Sequence, residues 1–376
     1  MRKLIIVVII FANTLLAGIV LPGCGQKRPD VKDIGLISSV GVAYQENKFV
    51  VTVQAIKPSS VRENKPDAII VEESTGNTVL ESLQDLIITL GRKPVWTHLS
   101  VLVFAEESAK EGVLPLLDFF YRDIEPRLSM LPVISADNLK DLFEVNSKLG
   151  GLPADQINNS LEAESVLNKA VRVEFHDFLE GLMEPYLDPY LPLVHKKGQE
   201  LQIYGTAIFK GDKLVETLTP NETKGMLRVL DKIENGTEII RMKDGEKPIF
   251  ITLGVNSSQT KVKSEIADKN KIIIEINEVC YISGITGAFI LNEDKLKEIE
   301  KTYREFIQGE VEGAVMKIQK SNSNVLGFAQ VINRQDKAYW QEIKDQWEKL
   351  NPELEIEIKV QVKVSNNQLS KNNFYK

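Results

Sequence analysis

The chain has 376 residues, with 46 Lys and Arg against 53 Asp and Glu for a net charge of −7. Hydrophobic residues at 43% beside 26% charged supply enough apolar material for packed cores and exclude a wholly disordered chain; the mild acidity speaks against a nucleic-acid binder, which gathers Lys and Arg on one face to neutralise phosphates. Two cysteines, Cys24 and Cys280, and three dispersed histidines, His98, His176 and His195, exclude a disulfide framework and a multi-cysteine zinc or iron–sulfur site.

The amino terminus reads as an export signal: Arg2 and Lys3 precede an apolar run from Leu4 to Leu21. The run ends on Leu21-Pro22-Gly23-Cys24, the pattern of a bacterial lipobox. The Cys24 thiol then takes a diacylglycerol and residues 1–23 are removed, which carries the net charge from −7 to −9. Two acyl chains hold a protein stably on a bilayer, at about 0.8 kcal/mol per buried methylene. Left uncleaved, the same run approaches the roughly 20 residues that span a membrane. Either route places the body outside the cytoplasmic membrane, with residues 24–33 as a polar tether.

Further on, Ile34–Val42 and Phe49–Ile56 predict a β-hairpin across Gln45–Lys48, and Lys57–Glu73 reads mostly as loop. A helix from about Asn77 presents Leu80, Leu83, Ile87 and Leu90 on one stripe and stops at Gly91. Leu99–Phe104 predicts a buried strand, and Glu106–Tyr121 two helical pieces divided at Gly112 and Pro115. Leu128–Ile134 predicts a strand, Asp137 a cap for a helix through Phe143, and Asp155–Leu167 and Glu174–Met183 two more helices; Pro185, Pro189 and Pro192 interrupt regular structure. Leu201–Phe209 and Leu214–Leu218 form a hairpin around Gly211-Asp212, and Thr219-Pro220-Asn221-Glu222 is a capping box for a helix to about Ile233. Strands follow at Glu238–Met242, Ile249–Ile266 and Lys271–Ser283, the last two turning at Asp268–Asn270. Asn292–Ser321 predicts a long amphipathic helix on Leu296, Ile299, Tyr303, Phe306, Val311, Val315 and Ile318, and Asp336–Leu350 a second with Trp340, Ile343 and Trp347 inside. Leu354–Val364 alternates apolar with charged residues, a half-buried final strand. This divides the body into an α/β domain at 34–198, a β-rich domain at 199–268 and an α/β domain with the long helix at 269–376, an α+β multidomain fold of mixed sheets packed with helices.

Four stretches in this order resemble the Ger(x)C family of spore germination lipoproteins. They are the lipobox; Trp96–Gly112 followed by Leu117–Asp123; Gly205–Val215 followed by Glu222–Gly225; and Asn324–Phe328 leading into Trp340 and Trp347. The resemblance implies three mixed α/β domains, no enzymatic activity and no cofactor. It also implies assembly with two polytopic membrane subunits, one of them transporter-like, as the lipoprotein subunit of a nutrient germinant receptor on the outer face of the spore inner membrane. A solute-binding lipoprotein of a transporter is the alternative, and it needs two similar lobes around a cleft.

Of the residues that carry chemistry, Cys24 is the single functional candidate, as the lipid attachment site. Cys280 lies in an apolar strand and reads as a small buried hydrophobe. His98 reads as a structural histidine before a buried strand, and His176 and His195 have no neighbouring ligands for a metal. Glu106-Glu107 suits the dipole at a helix start. Trp340 and Trp347 share a core stripe. The sequence contains no phosphate loop, nucleophile elbow or paired metal-binding histidines.

Overall fold

The computed structural model describes residues 34–56, 69–123, 127–145, 152–244, 247–265, 270–286 and 291–365. Cys24 and the lipobox residues before it, the whole of the expected tether, Gly150 and Gly151 lie outside them, as does position 268.

The first hairpin forms as expected. β1 (Ile34–Gln45) and β2 (Lys48–Ile56) pair antiparallel across Glu46 and Asn47, both left-handed at φ 50° and 63°, the geometry of a two-residue hairpin turn. The expected loop gives way at its end to β3 (Ile69–Gly76), which pairs with β2. β3 is an edge strand, half-exposed and carrying Glu72 and Glu73, so its apolar signal is short. α1 (Val79–Leu90) starts on Thr78, whose side chain accepts from the Glu81 N–H, and ends on left-handed Gly91. Its buried side is Val79, Ser82, Leu83 and Leu86; Leu80 and Ile87 face outward, so the predicted stripe is rotated by about one residue.

β4 (Lys93–Val95) and a short turn at Trp96–His98 lead to β5 (Val101–Ala105), then to α2 (Glu106–Glu111), α3 (Leu114–Arg122) and β6 (Leu131–Ser135). α4 (Leu139–Phe143) is capped by Asn138, which accepts from the Lys140 and Asp141 N–H groups; Asp137 instead accepts from Lys196 N–H at 2.5 Å. α5 (Pro153–Val166) and α6 (Phe175–Met183) follow, then β7 (Tyr190–Lys197), β8 (Glu200–Lys210) and β9 (Lys213–Leu218). β7 runs through Pro192, which the sequence reads as an interruption. The proline sits where the β7–β8 register shifts between Pro192 and Val194, a place that needs no donated N–H.

These strands build one nine-stranded mixed sheet, ordered β3-β2-β1-β5-β6-β7-β8-β9 with β4 beside β1. β1, β5, β6 and β7 are parallel at its centre, and antiparallel hairpins flank them. Val101, Leu102, Val103 and Phe104 are all fully buried because helices cover both faces, which is why this strand reads as a continuous apolar run. Leu102 and Phe104 join the core that includes α1, α3 and α6, whereas Val101 and Val103 pack toward Leu142, Phe143 and Ile157 of α4 and α5.

The second sheet is four-stranded, ordered β10 (Thr237–Asp244), β11 (Lys247–Ser264), β12 (Lys271–Ile285) and β13 (Glu355–Ser365). α7 (Pro220–Val229) begins in the expected capping box and stops before left-handed Asp231, short of Ile233. α8 (Glu293–Lys320) crosses the sheet, burying Ile299, Tyr303, Ile307, Val311, Val315 and Ile318. Phe328–Gln335 forms α9, which the sequence does not signal because its cap is left-handed Gly327 with no capping side chain. The last predicted helix is split into α10 (Lys337–Ile343), a 3₁₀ turn and α11 (Trp347–Leu350). The break falls on polar Lys344, Asp345 and Gln346, which offer the core nothing, while Trp340 and Trp347 pack edge to face at 5.4 Å. The described residues from Gly35 to Ser365 form one compact unit, and one apolar cluster runs from Phe104 and Phe209 through Phe328 to Ile274.

Candidate functional site

Each residue singled out by its chemistry has a definite place. Cys24 lies outside the described residues. Cys280 is fully buried in β12, and burial pushes its thiol up to about 12, so it is inert as a nucleophile at neutral pH. His98 corrects the reading as a structural histidine: it is exposed at the end of its short turn. His176 is exposed beside Asp177 at 3.1 Å and Glu174 at 3.6 Å, and the His195 ring lies 4.3 Å from that of Tyr204, tilted by 46°. Among the described residues no group of three His, Cys, Asp or Glu is placed to hold a metal ion, and no helix is long and apolar enough to cross a membrane. Glu106 and Glu107 open α2 and both reach Lys110, at 3.0 and 2.7 Å.

The densest chemistry is one that sequence reasoning missed. Arg228, on α7, is wholly buried between α8 and the second sheet. Its guanidinium donates to Glu310 of α8 at 2.5 Å, Glu238 of β10 at 3.1 Å and Glu278 of β12 at 3.3 Å. Lys224, one turn earlier, holds the second oxygen of Glu238 at 2.6 Å, and the Tyr303 hydroxyl donates to Glu278. Three carboxylates thus face two cations in a volume closed to solvent. Burial lifts Glu310 to about 7 against the pull of Arg228, and its Oε1 has no hydrogen-bond partner. Burial and the Glu278 carboxylate push the Tyr303 hydroxyl far above its ordinary range. The arrangement ties four elements together through buried charge pairs.

The close approach of α7 to α8 makes this contact possible. At Gly225 a Cβ would stand 2.2 Å from the Glu310 carbonyl oxygen, so only glycine lets the helices meet. Gly205 is comparable: at φ +143° it lies against the Leu218 carbonyl, 2.0 Å from where a Cβ would be. One signal of the cluster was legible. On β12 the buried positions run Ile272, Ile274, Ile276, Glu278, Cys280 and Ile282, and a carboxylate in that series needs a buried cation.

Beside α6, a groove of about 760 Å³ opens between the helix and the segment leading into β7. Phe178 and Val325 form part of its floor; Asp177, Glu180 and Glu184 line it opposite Arg172 and Lys232. Within its lining the Lys232 ammonium donates to the Tyr190 hydroxyl at 2.6 Å. Two surfaces are apolar and open: the outer side of α1 and α3, where Leu80, Ile87 and Leu114 are exposed, and the edge of the second sheet at β13.

Comparison with known proteins fits this picture. The chain matches the family model described as "Spore germination protein N-terminal domain" over residues 27–196 and that described as "Spore germination B3/ GerAC like, C-terminal" over residues 204–368. The two models meet near the boundary expected at 198, which in the structure is the turn between β7 and β8, crossed by the nine-stranded sheet. The chain is 26% identical to spore germination protein KC of Bacillus subtilis (strain 168), over 95% of both chains. It is 23% identical to spore germination protein GerQC of Bacillus cereus, over 71% of this chain and 74% of that one. Among solved structures, the GerBC protein superposes with a TM-score of 0.55 at 19% identity, over 87% of this chain and 97% of that one, which shows a shared fold.

Proposed function

Because the chain belongs to the Ger(x)C, or GerAC-like, family of spore germination proteins, we propose that it is the lipoprotein subunit of a germinant receptor. Diacylglycerol on Cys24 holds it on the outer face of the spore inner membrane, and the body assembles there with two polytopic subunits, one of them transporter-like. Its role is to bind and position the extracytoplasmic parts of those subunits, so that nutrient binding becomes release of ions and dipicolinate. It is not an enzyme. The observation that carries the reading is the order of parts: a lipobox cysteine, a short tether, then both family models in succession over 27–196 and 204–368. In support, the charged cluster around Arg228 is sealed inside the fold.

The test is a pull-down of the tagged, crosslinked chain from solubilised spore inner membranes. Recovery of two polytopic proteins is expected; a transport permease with an ATPase in their place would favour a solute-binding lipoprotein instead. Deletion of the gene in a strain without a paralogous receptor is expected to abolish nutrient germination, and unchanged germination would refute the assignment.

A further inference from the structure

β13 is the outer strand of the four-stranded sheet and bonds to β12. The Glu355 N–H donates inward to the Asn270 carbonyl at 2.9 Å. Strand alternation therefore turns the backbone groups of Ile356, Ile358, Val360 and Val362 toward the open edge. At the far end the Val364 N–H is already taken by Glu300 of α8 at 3.0 Å. Ile356, Ile358 and Val362 lie on the same face as buried Val360 and Val364 yet are only half-buried. Next to them a groove of about 640 Å³ separates the strand from α8, and Met316, 69% exposed, stands on its wall. An unpaired edge flanked by a groove that Val315, Met316, Ile356 and Ile358 line together with Glu312, Gln319 and Lys320 has the form of a place for one more strand, whose alternate side chains would enter the groove.

The charges on the other face of β13 say what that strand is. They run Glu355, Glu357, Lys359, Gln361, Lys363. Laid antiparallel against its own copy and centred on Val360, the strand is matched end to end from Glu355 to Ser365. Glu357 then stands opposite Lys363 of the second copy, twice by symmetry, and Lys359 opposite Gln361. Moving the centre to Lys359 sets that lysine against itself; moving it to Gln361 sets Lys359 against Lys363. Like charges directly opposite are destabilising, so full overlap and charge matching select the same register. Residues whose backbone groups turn outward also face one another in it, as an antiparallel ladder requires.

We propose that two copies of this chain pair through β13, antiparallel and centred on Val360, joining their four-stranded sheets into one across a two-fold axis. The contact is isologous and closes on itself, so it yields a dimer and no fibre. Lysines on edge strands discourage indiscriminate pairing, and here they admit one partner in one register.

The test is sedimentation of the full-length chain in detergent micelles over a concentration series, with the melting temperature of each variant recorded. The wild type is expected to dimerise. Ile358→Pro removes one outward N–H and leaves the β12 bonds in place, so a folded monomer is expected. Glu357→Lys or Lys363→Glu alone is expected to weaken dimerisation by about tenfold or more, and the two together to recover it to within about threefold. Glu357 also pairs with Lys271 at 3.0 Å within the chain, so Lys363→Glu, which breaks no ion pair among the described residues, is the cleaner single change. A wild type that stays monomeric, a dimer that survives Ile358→Pro in a folded chain, or a double exchange that restores nothing would each overturn the proposal.

Discussion

Arg228→Met is the most informative single substitution in the body of the protein. The side chain is wholly buried and bonded to three carboxylates at 2.5, 3.1 and 3.3 Å. Methionine fills much of the same space but leaves Glu238, Glu278 and Glu310 with only the Lys224 ammonium among them. Removing one partner of a buried ion pair costs about 3–5 kcal/mol, a large part of the roughly 5–15 kcal/mol that holds a typical native fold together. The pH dependence identifies the cause. A carboxyl whose folded pKa lies above its unfolded value has its stability contribution intact below the unfolded pKa and loses it as pH rises through the folded one. Without the guanidinium the Glu310 carboxyl, already raised by burial, loses the charge that opposes the rise, so the deficit against the wild type should be greatest near pH 8 and shrink toward pH 5. Urea unfolding of both chains, followed by tryptophan fluorescence over that range, measures this. A deficit under about 1 kcal/mol at pH 8 would refute the reasoning, as would one that does not change with pH.

Three further outcomes follow from the same structure, and a fourth from the proposed lipid attachment. In the wild type, Glu310 at about 7 should cause stability to fall as pH rises from about 4.5 to 7, and Glu310→Gln should flatten that part of the stability curve in the same urea series. Gly225→Ala drives a methyl to 2.2 Å from the Glu310 carbonyl oxygen and should destabilise by about 1–3 kcal/mol, seen as a lower urea midpoint; an unchanged midpoint would mean that the helices are not in contact there. In a Cys24→Ala background the remaining thiol, Cys280, should react with a thiol reagent at the rate of unfolding, because burial holds it at about 12. The Cys24→Ala body should keep its melting temperature and leave the membrane fraction, and unaltered partitioning would refute lipid attachment.

Regular elements were legible wherever local chemistry and tertiary packing agreed. The helix read from about Asn77 starts one residue on at Thr78, Asn292 and the Thr219 capping box start their helices as the sequence indicates, and the β1–β2 and β8–β9 turns fall on the expected residues. Several of the misreadings share one cause, a neighbour distant in sequence. Pro192 lies within a strand because a register shift in its pairing with β8 excuses the missing N–H, and nothing around Pro192 reveals that partner. α1 rotates away from its apparent stripe because Ser82, a poor core residue by composition, donates to the Phe49 carbonyl at 3.1 Å and turns inward. The cluster around Arg228 joins residues 82 positions apart, and its only local trace was a glutamate in a row of buried isoleucines.

The turn at Gly198 has a practical consequence for dissecting this protein. Sequence families divide the chain there, so that is where one would cut it to ask which half performs a given task. Yet β7 and β8 are hydrogen-bonded neighbours in the middle of a sheet, and severing them would bare a backbone edge on each fragment and strip apolar cover from Leu191, Leu193 and Ala207. Fragments ending near 198 would be expected to aggregate, and their failure in a complementation assay would report lost solubility. Point changes within the intact chain are the experiments whose phenotypes can be interpreted.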